Sequence, residues 1–498
     1  MKHEVKVYPS KVNLPREEQF AWKIAAVATD LVVIDNDVAE MAINRVIDNT
    51  SVAIAALNRH AVISARDMAL GHVRNGGATI FGAPLSTRVS PEWAAWANGA
   101  AVRELDFHDT YLAEDYAHPG DTIPPILAVG QTMGRTGAQL LRGIVTAYEI
   151  QIDLCRSISL HKHKIDHLAH LCPAQVSGIG AMLDLPTEII YQAIQHAVHV
   201  SFTTRQSRKG EISSWKAYAP AHVGKLAIEA VDRAMRGETS PSPIYEGEDS
   251  VIAWMLDGPE GHYSVTLPAP GESKRALLES YTKQYSAEVQ AQAIIDLAFQ
   301  MRDKIPSLTL IREIILYTSY HTHHVIGTGA NDPQKISPEA SRETLDHSVM
   351  YIFAVALTEG RWHHIESYRR ERVTAPETVR LWQSIRTVED PMWTAGYHHP
   401  DPHQRAYGAR AEVILNDGTR IIDQLDRPHA HIAGARPFDR AQYLEKYYAL
   451  TRGIVPTSEA DRFLNAAQHL EQLGPGELDH IHISLDGGQL LKGKHGIF

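Results

Sequence analysis

The stretch LPAPGESKRALLES, residues 267–280, marks where the chain changes character. Before it, apolar residues recur at helical spacing; after it, runs appear that alternate with period two. Upstream, GAQLLRGIVTAYEIQIDLCRS (137–157) places Leu140, Leu141, Ile144, Val145, Tyr148 and Ile152 on one helical face. Residues 36–57 carry a similar pattern, and WAAWANGAAVRELDF (93–107) is Ala-rich with Gly99 suited to close helix contact. AHVGKLAIEAVDRAMRG (221–237) reads as a helix ending on Gly237, a good C-cap residue. Downstream, LTLIREIILYTSY (308–320) partly alternates, and AEVILNDGTRIIDQL (411–425) predicts a hairpin around Asn416-Asp417-Gly418. Helical periodicity returns from 437. The expected fold is therefore mainly α. A large all-helical domain (1–280 plus 433–498) carries a smaller α+β lid domain (281–432), inserted before the C-terminal helices.

A chain of 498 residues exceeds one compact core. Its net charge of −11 argues against nucleic acid as a partner but leaves room for a small anion held by a few local cations. The N-terminus MKHEVKVYPSKVNLPREEQ has no apolar h-region, and no apolar run is long enough to span a bilayer, so no membrane partner is expected. Two cysteines, Cys155 and Cys172, fit a reducing compartment, and the expected location is cytoplasmic. With 28 histidines, a lone His says little.

ELDFHDTYLAEDYAHPGDTIPP (104–125) crowds five carboxylates, from Glu104 to Asp115, with two histidines and a Pro/Gly turn. On a helix, Asp106 and Thr110 would share a face, and the turn His118-Pro119-Gly120-Asp121 would bring His118 back towards Asp106. A carboxylate beside an imidazole raises its pKa and fixes its tautomer, as a proton shuttle requires. The plain alternative is a capped helix end followed by a solvated loop. In HKHKIDHLAHLCPA (161–174), His163 and His167 stand i, i+4, a spacing that suits zinc. No Glu completes HExxH and no third ligand follows, so no metal is expected; the segment is a polar helix start, or His167 lines a pocket. RQSRKGEISSWKAYAPAH (205–222) gathers Arg205, Arg208, Lys209 and Lys216, either a carboxylate-binding cluster or a solvated basic loop. Lys283 opens the α+β unit, and Tyr351 lies on the edge of the apolar run LDHSVMYIFAVAL (345–357), where by itself it is a core residue with a satisfied hydroxyl. The GxG of IGTGAND is too weak for a dinucleotide site, and HTHH (321–324) and His363-His364 suggest no role.

Taken together and in order, DFHDTYLAEDYAHPGD, IDHLAHLCPA, RQSRKGEISSWKAYAPAH, YTKQYSAE and ETLDHSVMYIFAVAL resemble the MmgE/PrpD family, from about residue 20 to about residue 450. The likeness is closest to the branch that dehydrates 2-methylcitrate. It implies a helical domain with an α+β lid, usually as a homodimer, acting on small polycarboxylates as dehydratase, decarboxylase or epimerase without an iron–sulfur cluster. By resemblance to the cis-aconitate decarboxylases of the family, the pocket positions are Asp106, Thr110, His118, His167, Lys216, Lys283 and Tyr351. Where that decarboxylase has a His after the lid lysine, this chain has Glu288, as dehydratase-like members do.

The expected reaction removes a proton alpha to a carboxylate and expels hydroxide from a tricarboxylate substrate. Lys216 and Lys283, with Arg205 as a weaker third, are expected to neutralise the carboxylates. His118, polarised by Asp106, is expected to move the proton with His167 opposite, while Thr110 and Tyr351 hydrogen-bond the substrate. No cofactor is expected, since two cysteines cannot supply the three thiolates of an aconitase-type cluster. Decarboxylation or epimerisation within the family, and polycarboxylate binding without turnover, are the competing readings.

Overall fold

The computed structural model describes residues 1–399, 401–485 and 488–497, and the fold is mainly α. The long periodic segment forms the helix Gly137–Ser157, opened by a capping box in which Thr136 Oγ1 accepts from Gln139 N at 3.2 Å and Gln139 Oε1 accepts from Thr136 N at 3.1 Å. It packs on the helix Leu168–Leu183 at a point where neither side has room for a side chain: a Cβ on Gly143 would lie 2.7 Å from the Gly178 carbonyl oxygen, and one on Gly178 2.6 Å from that of Gly143.

The Ala-rich segment forms the helix Pro91–Glu104, which lies antiparallel to the helix Trp215–Met235. The pairing runs from Lys225 Nζ over the Trp93 ring at 3.3 Å, through Trp96 against His222, to Gly99, whose Cβ would sit 3.1 Å from Ala221. Continued further, the same register delivers the end of one helix to the start of the other, which places Asp106 beside Lys216.

The helical domain also holds short strands that helical periodicity does not foresee. Lys2–Lys6 pairs antiparallel with His262–Thr266. A three-stranded patch centres on Asp109–Leu112, flanked by Tyr116–Ala117 and by Tyr281–Thr282. Residues 106–110 are therefore not one helical face: the helix stops at Glu104, Asp106 takes a left-handed backbone (φ 50°) and Thr110 lies in a strand. Asp is among the few L-residues that tolerate this conformation.

The hairpin appears as Ala409–Leu415 with Arg420–Leu425, its turn supported by Gly418 at φ 89°. It extends a four-stranded sheet in the order Arg420–Leu425, Ala409–Leu415, Ile311–Thr318, Ile385–Glu389, with only the last pair parallel. The helices Gln292–Arg302 and Val349–Glu359 contribute to one hydrophobic cluster with this sheet. A separate, larger cluster joins the N-terminal helices to Tyr447, Phe463 and Leu470 of the C-terminal segment.

Candidate active site

Three chain segments converge on a buried ionic cluster. The first is the turn after Pro91–Glu104, which presents Asp106. The second is the first turn of Trp215–Met235, where Lys216 Nζ lies 3.1 Å from Asp106 Oδ2. The third is Lys283, which follows the strand Tyr281–Thr282 and donates to Asp106 Oδ1. The strand pairing Asp109↔Thr282 fixes that approach, and Lys283 N donates to the His108 carbonyl at 3.4 Å. Arg103 Nη1 reaches Asp106 Oδ1 at 3.1 Å.

The C-terminal domain adds a second carboxylate. Asp346 precedes the helix Val349–Glu359, and its two oxygens lie 2.7 and 2.8 Å from Lys216 Nζ. Arg342 Nη1 approaches it at 3.0 Å, and His347 Nδ1 bonds it directly. Four cations, Arg103, Lys216, Lys283 and Arg342, thus surround two carboxylates in a space closed to solvent. Burial would raise the Asp106 carboxyl, but Arg103, Lys216 and Lys283 outweigh it and hold it well below the usual carboxylate range. Asp346 is held low in the same way, burial being opposed first by Lys216. Glu288, half-buried beside them, is pushed up to about 7 by desolvation despite Lys283.

The histidines stand beside this cluster. The hairpin Asp109–Leu112/Tyr116–Ala117 returns the chain so that His118 Nδ1 lies 3.2 Å from the Asp109 carbonyl oxygen. A carbonyl only accepts, so this contact puts the proton on Nδ1 and leaves the Nε2 lone pair free. His118 bonds the Asp109 carbonyl and not Asp106, which is taken up by its cations; Asp106 acts on the imidazole through its charge, opposing the downward shift. Burial, then Arg103 and Lys283, hold His118 well below its ordinary pKa, so the imidazole is neutral. The Asp109 carboxylate fixes the loop: it accepts from Gly120 N and from Tyr148 Oη, each at 2.7 Å. A side chain at Gly120 would strike it, with a Cβ 2.6 Å from Asp109 Oδ1.

The His167 ring centroid is 5.6 Å from that of His118. Its Nδ1 lies 2.7 Å from Asp166 Oδ1 and its Nε2 4.0 Å from Asp121 Oδ2. Burial lowers its pKa while Asp166 opposes the shift. Arg208 secures Asp166, with Nε at 3.2 Å from Oδ2.

The remaining expected residues sit differently. Thr110 is buried and its hydroxyl donates to the Ala117 carbonyl at 3.2 Å, bracing the hairpin. The Tyr351 hydroxyl donates to the Ser367 carbonyl inside the lid core, so no free hydroxyl faces the ionic cluster from that position. Arg205 bonds His161 and lies over Tyr116, with 5.5 Å from guanidinium carbon to ring centre. The i, i+4 pair His163 and His167 is not brought together: His163 lies in a short 3-10 turn and faces Asp257 at 3.4 Å. Among the described residues, one group could supply three metal-ligand atoms, Asp106, Asp346 and His347, and Lys216 Nζ already occupies the space between its carboxylates. Asp346, Arg342, Arg103 and Asp166 were not foreseen from sequence; the adjacency of Asp166 to His167, and of Asp346 to His347, was the available signal.

Beside the cluster, a cleft of about 500 Å³ opens between the two domains. His161, Arg205 and Arg208 line it from the N-terminal part of the chain, and His324, Asp332 and Lys335 from the C-terminal part. Arg208 Nη1 reaches the Lys216 carbonyl at 3.4 Å and so connects the cleft to the cluster.

Models of the MmgE/PrpD N-terminal and C-terminal domains match residues 18–264 and 285–472. The chain belongs to the MmgE/PrpD family. It is 25% identical over 438 residues to the 2-methylcitrate dehydratase of Salmonella typhimurium, covering 83% of this chain and 86% of that one. The mitochondrial 2-methylcitrate dehydratase of Yarrowia lipolytica is 24% identical over 420 residues (80% and 78%), and the 2-methylcitrate dehydratase of Cupriavidus necator 26% over 373 (71% and 73%).

Proposed function

We propose that this chain is a 2-methylcitrate dehydratase, a hydro-lyase that converts 2-methylcitrate to 2-methyl-aconitate in propionate catabolism. The observation that carries the reading is the excess of buried cations around Asp106 and Asp346, set beside two histidines whose pKa values burial depresses. Such a site suits a small polyanion. The names of the relatives, all dehydratases of one tricarboxylate, agree with it.

Negative charge develops on a carboxylate-stabilised carbanion as the alpha proton leaves, and Lys216 and Lys283 are placed to neutralise it. His118, with a free Nε2 lone pair, takes the proton. The field of Arg103 and Lys283 holds this imidazole neutral in the empty site, and an arriving trianion cancels that field and makes the base stronger. Burial keeps His167 below its ordinary pKa in the empty site; Asp166 opposes that shift, and the charge of the arriving trianion adds to this opposition, so that His167 takes up a proton with substrate bound and passes it to the departing hydroxide, which leaves as water. Glu288, near neutrality in pKa, lies close to Lys283 as a further proton carrier.

The two cysteines are both buried, and no third exists to hold an iron–sulfur cluster, so the reading includes no cofactor. It also includes a homodimer in the cytoplasm; no helix among the described residues is long and apolar enough to cross a membrane.

The test is product analysis by mass spectrometry with headspace carbon dioxide recorded. The expected result is loss of water with no carbon dioxide. Stoichiometric carbon dioxide from cis-aconitate would favour decarboxylation instead, and tight binding with no product a non-catalytic role.

A further inference from the structure

The cleft beside the cluster holds cationic groups that the mechanism above does not use. Lys335 is 2% exposed, yet its Nζ has no hydrogen-bond partner among the described residues. Its nearest carboxylate, Asp332, stands 3.9 Å away. That carboxylate is already occupied by backbone amides, accepting from Gly210 N at 3.0 Å and Gln334 N at 3.2 Å. Across the cleft, Arg208 is 8% exposed; its Nε and Nη1 are engaged, but Nη2 has no partner.

Burying an ammonium group with no hydrogen bond and one long ion-pair contact is unfavourable, and a fold keeps one where something else repays the cost. The position of Lys335 is not accidental slack. Its carbonyl oxygen accepts from Ser348 Oγ at 2.6 Å and from Trp382 Nε1 at 3.1 Å, which ties it to the helix start that carries Asp346 and His347. Arg208 is held just as firmly through Asp166 and the Lys216 carbonyl. Two rigidly mounted cations from opposite domains therefore line one cleft with unused donors.

We propose that Lys335 and Arg208 form a subsite for a distal carboxylate of the polycarboxylate substrate, with the guanidinium and the ammonium each donating to it. This rests on the polycarboxylate reading above. The ligand would bridge helical domain and lid, so the subsite distinguishes tricarboxylates from shorter acids while Lys216 and Lys283 serve the reacting end.

The experiment titrates the full chain with propane-1,2,3-tricarboxylate, which has no hydroxyl to lose, by isothermal calorimetry. Lys335→Met should weaken binding at least about tenfold, and steady-state KM for 2-methylcitrate should rise likewise with kcat within about threefold. The thermal midpoint of the ligand-free variant should hold or rise, because a buried charge with no hydrogen bond and only a 3.9 Å ion-pair contact is removed; a purely structural lysine would lower it. Arg208→Gln should also weaken binding, and the double variant should lose less than the product of the two single losses. Unchanged affinity in Lys335→Met overturns the proposal, as does inorganic phosphate binding more tightly than the tricarboxylate. If the wild type binds propane-1,2,3-tricarboxylate through Lys335 but never dehydrates 2-methylcitrate, the function proposed above falls and this subsite stands. If turnover is normal and affinity is untouched, the subsite falls alone.

Discussion

Lys216 and Asp346 join the two domains: the ammonium at the start of one helix lies 2.7 and 2.8 Å from both carboxylate oxygens at the start of another, 130 residues later. The same Nζ also meets Asp106 at 3.1 Å. One cation thus ties the contact between the N-terminal and C-terminal parts to the charge balance of the cluster. In the proposed mechanism a substrate carboxylate shares this cation or displaces Asp346 from it.

Asp346→Asn leaves Lys216 and Arg342 buried with one negative partner fewer. Removing one member of a buried ion pair costs about 3 kcal/mol. Urea denaturation followed by fluorescence should show a lower midpoint. An unchanged midpoint would mean that the lid does not depend on this contact.

His118→Asn removes the base while retaining a donor towards the Asp109 carbonyl. The expected fall in kcat is about a hundredfold to ten-thousandfold. Binding of propane-1,2,3-tricarboxylate should stay within about threefold, since His118 carries no charge in the empty site. Loss of binding in parallel with activity would assign His118 a structural role.

Glu288→Gln isolates one half-buried carboxyl, whose pKa rises from 4.5 to about 7 through desolvation. Between these values the unfolded chain releases this proton while the folded chain keeps it, so the contribution of Glu288 to stability declines as pH rises across that window. The variant has nothing to ionise. From about pH 5 to about pH 8 the wild type should lose up to about 3 kcal/mol relative to Glu288→Gln. Parallel stability curves for the two proteins would contradict the shift.

Local signals read well from sequence where the local chain decides the outcome. The helix Gly137–Ser157 matches its predicted range because apolar period and capping box agree, and the hairpin follows from Asn416-Asp417-Gly418. Asp106 misled because it takes a left-handed backbone after the helix end and its carboxylate meets Lys216 and Lys283, which lie far along the chain. The resemblance placed Lys216, Lys283 and His118 in one pocket, and they are adjacent in the fold, whereas the expected mechanism paired Asp106 with His118 and Tyr351 with the substrate. Competition among hydrogen-bond partners decided both: three cations claim Asp106, and the Ser367 carbonyl claims Tyr351. Asp346 escaped notice because its meaning comes from Lys216, on a different domain.

The most direct measurement is ultraviolet absorbance on mixing the full chain with 2-methylcitrate, run beside Lys283→Met. The account predicts a rising signal from the new conjugated alkene with wild type, and a rate about a hundredfold lower in the variant, which lacks a cation facing the developing charge. A flat wild-type trace, or equal rates for the two proteins, would contradict it.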